Sequence, residues 1–155
     1  MEGIPLLKSD YKPVTEIYEI DKPAIVSGGT YHFETSSKLT YEVTFGKKKN
    51  NYLGNILNFS VISDEYEDEY SETNKGEVFK IISTMIEIVR AYHEAHPYSN
   101  SYEFSGEYKD NEDPNLASIR TRLYVRAAKK VLDFENWEII SETNKIVVQR
   151  KPRND

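Results

Sequence analysis

Leu39–Phe45 reads LTYEVTF, with Leu39, Tyr41, Val43 and Phe45 alternating with Thr40, Glu42 and Thr44. A two-residue period puts large apolar groups on one side of an extended chain and polar groups on the other, the signature of a half-buried strand. After the polar turn Lys47–Asn51, Ile56–Ile62 resumes the pattern with Leu57, Phe59 and Val61 on one face. The two segments are predicted to pair as a hairpin. Further strands are expected at Val14–Ile20, ended by Asp21-Lys22-Pro23, and at Thr30–Glu34 after a Gly28-Gly29 turn.

Beyond the acidic stretch the period changes. Val78, Ile81, Ile82, Met85, Val89 and Tyr92 fall on one stripe at helical spacing, predicting a helix over 76–95. Asn74 and Glu77 have capping-box spacing at its start, and His96-Pro97 stops it. Tyr102–Glu107 reads as a short strand. Asp113-Pro114 pairs a capping carboxylate with a first-turn proline and opens a second helix, expected over 114–134. Trp137–Ser141 and Lys145–Gln149 read as a closing hairpin. The fold class is therefore α+β: a mostly antiparallel sheet of about six to eight strands packed by two main helices. The expected order is four strands, helix, strand, helix, two strands.

The chain has 155 residues, 38% of them hydrophobic and 30% charged, which suits one domain with a single core. Residues 14–151 are assigned to it, with 1–13 as an arm or tail and 152–155 as a second tail. The absence of cysteine excludes disulfides, a thiolate nucleophile and Cys-based metal sites. No apolar run is long enough to span a bilayer, so no membrane partner is expected. MEGIPLLKSDYKP does not resemble a signal peptide, and a cytoplasmic location is expected.

The net charge of −6 has a local origin. Residues 63–72, SDEYEDEYSE, hold Asp64, Glu65, Glu67, Asp68, Glu69 and Glu72 without a base. With these six set aside, 20 acids face 20 bases. Such a run reads first as a solvated loop. Its functional alternative is a partner-binding patch for a basic protein, or a mimic of nucleic-acid charge, using Asp64, Glu65, Glu67, Asp68 and Glu69.

Few residues carry an obvious chemistry. His93 and His96 in HEAH are spaced i, i+3, not the i, i+4 of a zinc-protease helix, and are expected to pack at a helix end. No metal site, nucleophile elbow or phosphate-binding loop is evident. Residues 118–130, SIRTRLYVRAAKK, are more pointed. On a wheel of about 100° per residue, Leu116, Ile119, Leu123, Ala127, Val131 and Phe134 form the buried stripe. Arg122, Arg126 and Lys129 share a solvated flank, whereas Arg120 falls inside the apolar arc with Tyr124 beside it. A buried guanidinium needs a partner. Either it meets a carboxylate such as Glu103 or Glu107, or Arg120, Tyr124 and Arg126 form a ligand-binding clamp for a small anion.

The order of elements from residue 39 onward resembles the GNAT acyltransferase fold. Leu123-Tyr124, followed by Phe134 and Trp137, is similar to that family's late helix. The resemblance implies acyl-CoA as cosubstrate and Tyr124 as general acid toward the departing thiolate. The position of that family's basic, glycine-rich pyrophosphate loop reads SDEYEDEYSETNKG here, which repels a pyrophosphate. EFSGE followed by SIRTRLYVR is also similar to small bacterial and phage proteins without an assigned activity. The leading expectation is a non-catalytic binding or interaction domain without a cofactor, taking an unknown protein or a small anionic ligand. The alternatives are an acyltransferase using coenzyme A and an acidic adaptor working through 64–72. Nucleic-acid binding through 118–130 is disfavoured, because that row lacks an aromatic platform.

Overall fold

The computed structural model describes residues 3–13, 15–25, 28–36, 38–61, 75–105, 114–142 and 145–152, and the side chains of all of these but 60–61, 75–78, 105, 114–121 and 142. The alternation at 39–45 does what its period demands. Strand β2 (Thr40–Lys48) buries Tyr41, Val43 and Phe45 and leaves Thr40, Glu42 and Thr44 half-exposed. It pairs antiparallel with β1 (Thr30–Glu34) on one side and β3 (Asn51–Val61) on the other. The register sets Phe33 opposite Tyr41 and Phe45 opposite Leu57. Phe33 stacks on Tyr41 at 5.1 Å and Tyr41 on Phe59 at 4.9 Å. Ring pairs of this kind add about 0.5–1.5 kcal/mol beyond the area they bury.

Helix α1 (Lys75–Ala95) then crosses over the sheet, and β4 (Ser101–Ser105) lies parallel to β3. A parallel pair needs such a crossover, since no tight turn can make one. Helix α2 (Pro114–Val131) precedes the hairpin of β5 (Trp137–Glu142) and β6 (Lys145–Arg150). β6 docks antiparallel on β4, giving the order β1-β2-β3-β4-β6-β5. The chain is thus an α+β fold with a six-stranded, mainly antiparallel sheet and two helices, as the periodicity predicts. No helix among the described residues is long and apolar enough to cross a membrane.

The core lies between the helices and one sheet face, where Tyr41, Val43, Leu57, Tyr102, Ile146 and Trp137 meet Ile81, Met85, Ile88 and Tyr92. The opposite face is polar: His32 Nε2 lies 2.9 Å from Glu42, and Glu103 holds Lys145 at 2.5 Å and Lys48 at 3.6 Å. Those lysines hold the Glu103 carboxyl below its usual range, the Lys145 hydrogen bond first among the causes.

Two expectations need correction. The segment expected as a strand at Val14–Ile20 forms none among its described residues. The Tyr18 N–H donates to Thr84 Oγ1 at 3.0 Å, so a helix hydroxyl takes the amide that a strand neighbour would have taken. Only Asp21 bridges to His32 on the sheet edge. The second helix ends at Val131 rather than Phe134, because Lys8 N–H caps the Val131 carbonyl and Leu132 bridges to Leu7. Phe134 therefore leaves the predicted buried stripe and stands 38% exposed. The 1–13 arm is irregular among its described residues and is tied to the domain: Trp137 Nε1 donates to Pro5 O at 2.9 Å, and Leu6 is buried in the core. Asn74, Glu107 and the acidic run lie outside the described residues.

Candidate functional site

The parallel pairing of β3 with β4 is short, running from Gly54–Ser101 to Leu57–Phe104, while β3 continues to Val61. Tyr124 of α2 stands over the place where the pairing stops. Its ring meets Phe59 of β3 edge-on at 6.2 Å and Phe104 of β4 at 6.2 Å. Phe59 and Phe104 face the helices because they sit two residues along from the buried Leu57 and Tyr102.

Beneath Tyr124 lies a cavity of about 70 Å³. The sheet contributes Leu57, Phe104 and Val148, α1 contributes Met85 and Val89, and α2 contributes Ala128. Only Tyr102 and Tyr124 among its lining residues carry a polar side-chain atom. An apolar void of this sort stays dry, since a water in it would lack two to four partners. A void of this size has room for about three carbon atoms.

Of the three residues expected to clamp an anion, Tyr124 and Arg126 face different surroundings. Arg126 is exposed and lines a separate crevice with Phe79 and Leu123, while Tyr124 turns to the sheet. The side chain of Arg120 lies outside the described residues. Glu103, one of its expected carboxylate partners, points to the face away from the helices and is already paired with two lysines. Asp64, Glu65, Glu67, Asp68 and Glu69 also lie outside the described residues.

Two polar networks escape sequence reasoning. His93 is buried between the arm and β4, with Nε2 2.6 Å from the Ile4 carbonyl and Nδ1 2.5 Å from the Tyr102 hydroxyl. A carbonyl only accepts, so Nε2 carries the proton and the phenol donates to Nδ1. Burial pushes the His93 pKa below the ordinary range, opposing the Ile4 bond that favours the cation, and burial also raises the Tyr102 phenol. Both groups are held neutral, and both imidazole nitrogens are engaged. Asn55, fully buried on β3, is the second hub. Its Oδ1 accepts from Tyr92 Oη at 2.8 Å and Lys47 Nζ at 3.1 Å, and its Nδ2 donates to Ser101 O at 3.1 Å. Tyr92 is itself stacked between Phe45 at 3.9 Å and His96 at 4.0 Å, and burial pushes its phenol up to about 12. The sequence signal was faint: a polar Asn at an inward strand position.

A larger groove of about 690 Å³ separates the arm from α1, lined by Tyr11, Glu87, Arg90, His93 and Glu94 among others. Its polar groups satisfy one another. Glu87 accepts from Tyr11 at 2.9 Å and from Arg90 Nε at 2.8 Å, and Arg90 also reaches Glu94 at 3.0 Å. Two carboxylates engage the Arg90 guanidinium, Lys8 is the groove's other lining cation, and the network reads as the clasp of the arm. No group of three or more metal-ligating side chains occurs among the described residues. No family model, curated protein or solved structure matches the chain.

Proposed function

We propose that the chain is a non-catalytic binding domain for a ligand with a short apolar terminus. The ligand enters where β3 and β4 part, passes Tyr124, and places its terminus in the cavity over Leu57. The observation that supports this reading is the apolar void at the end of the parallel strand pair, roofed by a half-buried tyrosine. For a terminus of about three carbons, the ceiling of roughly 1.5 kcal/mol per non-hydrogen atom gives about 4.5 kcal/mol, a Kd of about 1 mM at best. The test is a titration of methyl-labelled protein with butyrate, hexanoate and butanol. Shifts confined to Leu57, Met85, Val89 and Val148, lost in Ala128→Leu, support the reading. Unmoved methyls at millimolar ligand refute it.

The second reading is a GNAT-like acyltransferase. It draws support from the single parallel pair within this strand order and from the place of Tyr124 between the two strands. Against it stand the six acids before α1. Calorimetry with coenzyme A separates the two: binding that survives the removal of the acyl group favours the transferase, and its absence favours the binding domain.

A further inference from the structure

Helix α2 contains no acid between Pro114 and Val131. Arg122, Arg126 and Lys130 stand exposed on it, four residues apart. A helix stacks such residues in one row at intervals of about 6 Å. Like charges at this spacing repel, so the row costs the helix stability. Among the described residues none of the three has an acidic partner. The row borders a crevice of about 50 Å³ between α1, α2 and the arm, with Arg126 and Lys130 at its edge. Its floor is aliphatic, made by Ile82 and Ile86 of α1 and by Leu123 and Ala127 of α2. Phe79 stands on the α1 rim, 50% exposed. The polar groups of the arm side are used within the chain: Tyr11 donates to Glu87 at 2.9 Å, and Thr15 Oγ1 to Ser83 Oγ at 2.9 Å. The acids of the adjoining segments are occupied or balanced. Glu87 is held by Arg90, and Asp133 accepts from Asn136 Nδ2 at 2.8 Å and the Glu135 N–H at 3.1 Å. Asp10 and Glu16 in the arm are matched by Lys8 and Lys12.

We propose that this crevice docks an acidic peptide segment of a partner protein, anchored by one apolar side chain. Carboxylates of the segment meet Arg122, Arg126 and Lys130, and the anchor enters beside Phe79 onto the aliphatic floor. Charge complementarity carries the choice of partner: a helix repeats carboxylates at i, i+4 with the spacing of the row itself, and alternate residues of an extended chain lie about 6.8 Å apart. Single-stranded nucleic acid would use the cations and one ring, but it has no aliphatic group for the floor. An anionic membrane would use the cations, but only Phe79 is raised for insertion. Ile82, Ile86 and Val131 separate the crevice from the cavity under Tyr124, so this proposal does not rest on the ligand reading above.

The test is fluorescence anisotropy with a labelled nine-residue peptide of glutamates around one central leucine, compared with the same peptide carrying a central glycine. The leucine peptide should bind about tenfold more tightly, the worth of about two buried carbons. Its affinity should fall as salt rises to about 0.5 M, because the cations are exposed. Arg126→Glu with Lys130→Glu should weaken it about tenfold or more. Ala127→Leu fills the crevice and should reduce the leucine peptide to the affinity of the glycine one, whereas Ala128→Leu, which faces the other cavity, should leave it unchanged. Unchanged melting curves confirm that the charge-reversed variant folds. Equal binding of the two peptides, indifference to the charge reversal, a preference for oligothymidylate, or no binding at low salt overturns the proposal. Binding that appears only after Asp64, Glu65, Glu67, Asp68 and Glu69 are made amides also overturns it, because the chain's own acids would then be the occupant.

Discussion

Replacing Ala128 by leucine adds three carbons on the α2 face that lines the cavity of about 70 Å³. Each buried carbon contributes about 0.8 kcal/mol, or about 2.4 kcal/mol in all. Ordering the leucine side chain costs about 0.5–1 kcal/mol, and helix propensity is nearly unchanged. The net expectation is a gain of about 1.5 kcal/mol, which raises Tm by about 3–6 °C for a chain of this size. Urea unfolding and calorimetry measure it, with Lys129→Leu on the exposed flank as control. If the void is already closed by its neighbours, the added carbons overpack the core and destabilise by about 1–3 kcal/mol. A loss of stability in Ala128→Leu, with the control unchanged, therefore refutes both the cavity and the binding reading built on it.

Asn55→Ala should cost about 2–4 kcal/mol in urea, because the Tyr92 hydroxyl and the Ser101 carbonyl both lose a buried partner. Leu6→Ala should cost about 2–4 kcal/mol and loosen the arm, seen as faster amide exchange at Lys8 and Asp133, whose N–H groups bond between the arm and the end of α2. Stability should fall as pH drops through the ordinary histidine range near 6.5 and below. The folded His93 has a lowered pKa, so the unfolded chain binds more protons there. His93→Gln should flatten that slope in pH-dependent unfolding. At the alkaline end the sign reverses for Tyr92, raised from 10.0 to about 12. Its contribution is full below pH 10 and disappears as pH rises through about 12, and tyrosinate absorbance followed beside the unfolding curve checks the window.

Periodicity carried the sheet and the helices because burial on one face imposes it directly. Leu39–Phe45 and Val78–Tyr92 could be read without knowing what they pack against, since each needed only an apolar partner of some kind. Val14–Ile20 misled for the same reason. Tyr18 is buried as a strand residue would be, yet its amide is taken by Thr84 from a helix sixty-six residues away. Phe134 fitted the helical wheel, but the cap that ends α2 comes from Lys8 in the arm, and no local signal announces it.

The candidate sites divide along the same line. Tyr124 was singled out beside the apolar arc, and it does cover the cavity. Arg126 belonged to the same stretch of sequence but faces another crevice, because residues two apart on a helix diverge by about 200°. The Asn55 hub, the neutral His93–Tyr102 pair and its tie to Ile4 join residues between 9 and 89 positions apart. Sequence by itself determined the α+β class, the main elements and the single concentration of acid, since these depend on spacing and composition alone. Tertiary structure decided which strands lie parallel, where the core is left unfilled, and which buried polar groups meet at Asn55 and His93. Those outcomes depend on chain crossings and on hydrogen bonds between distant segments, which no local period encodes.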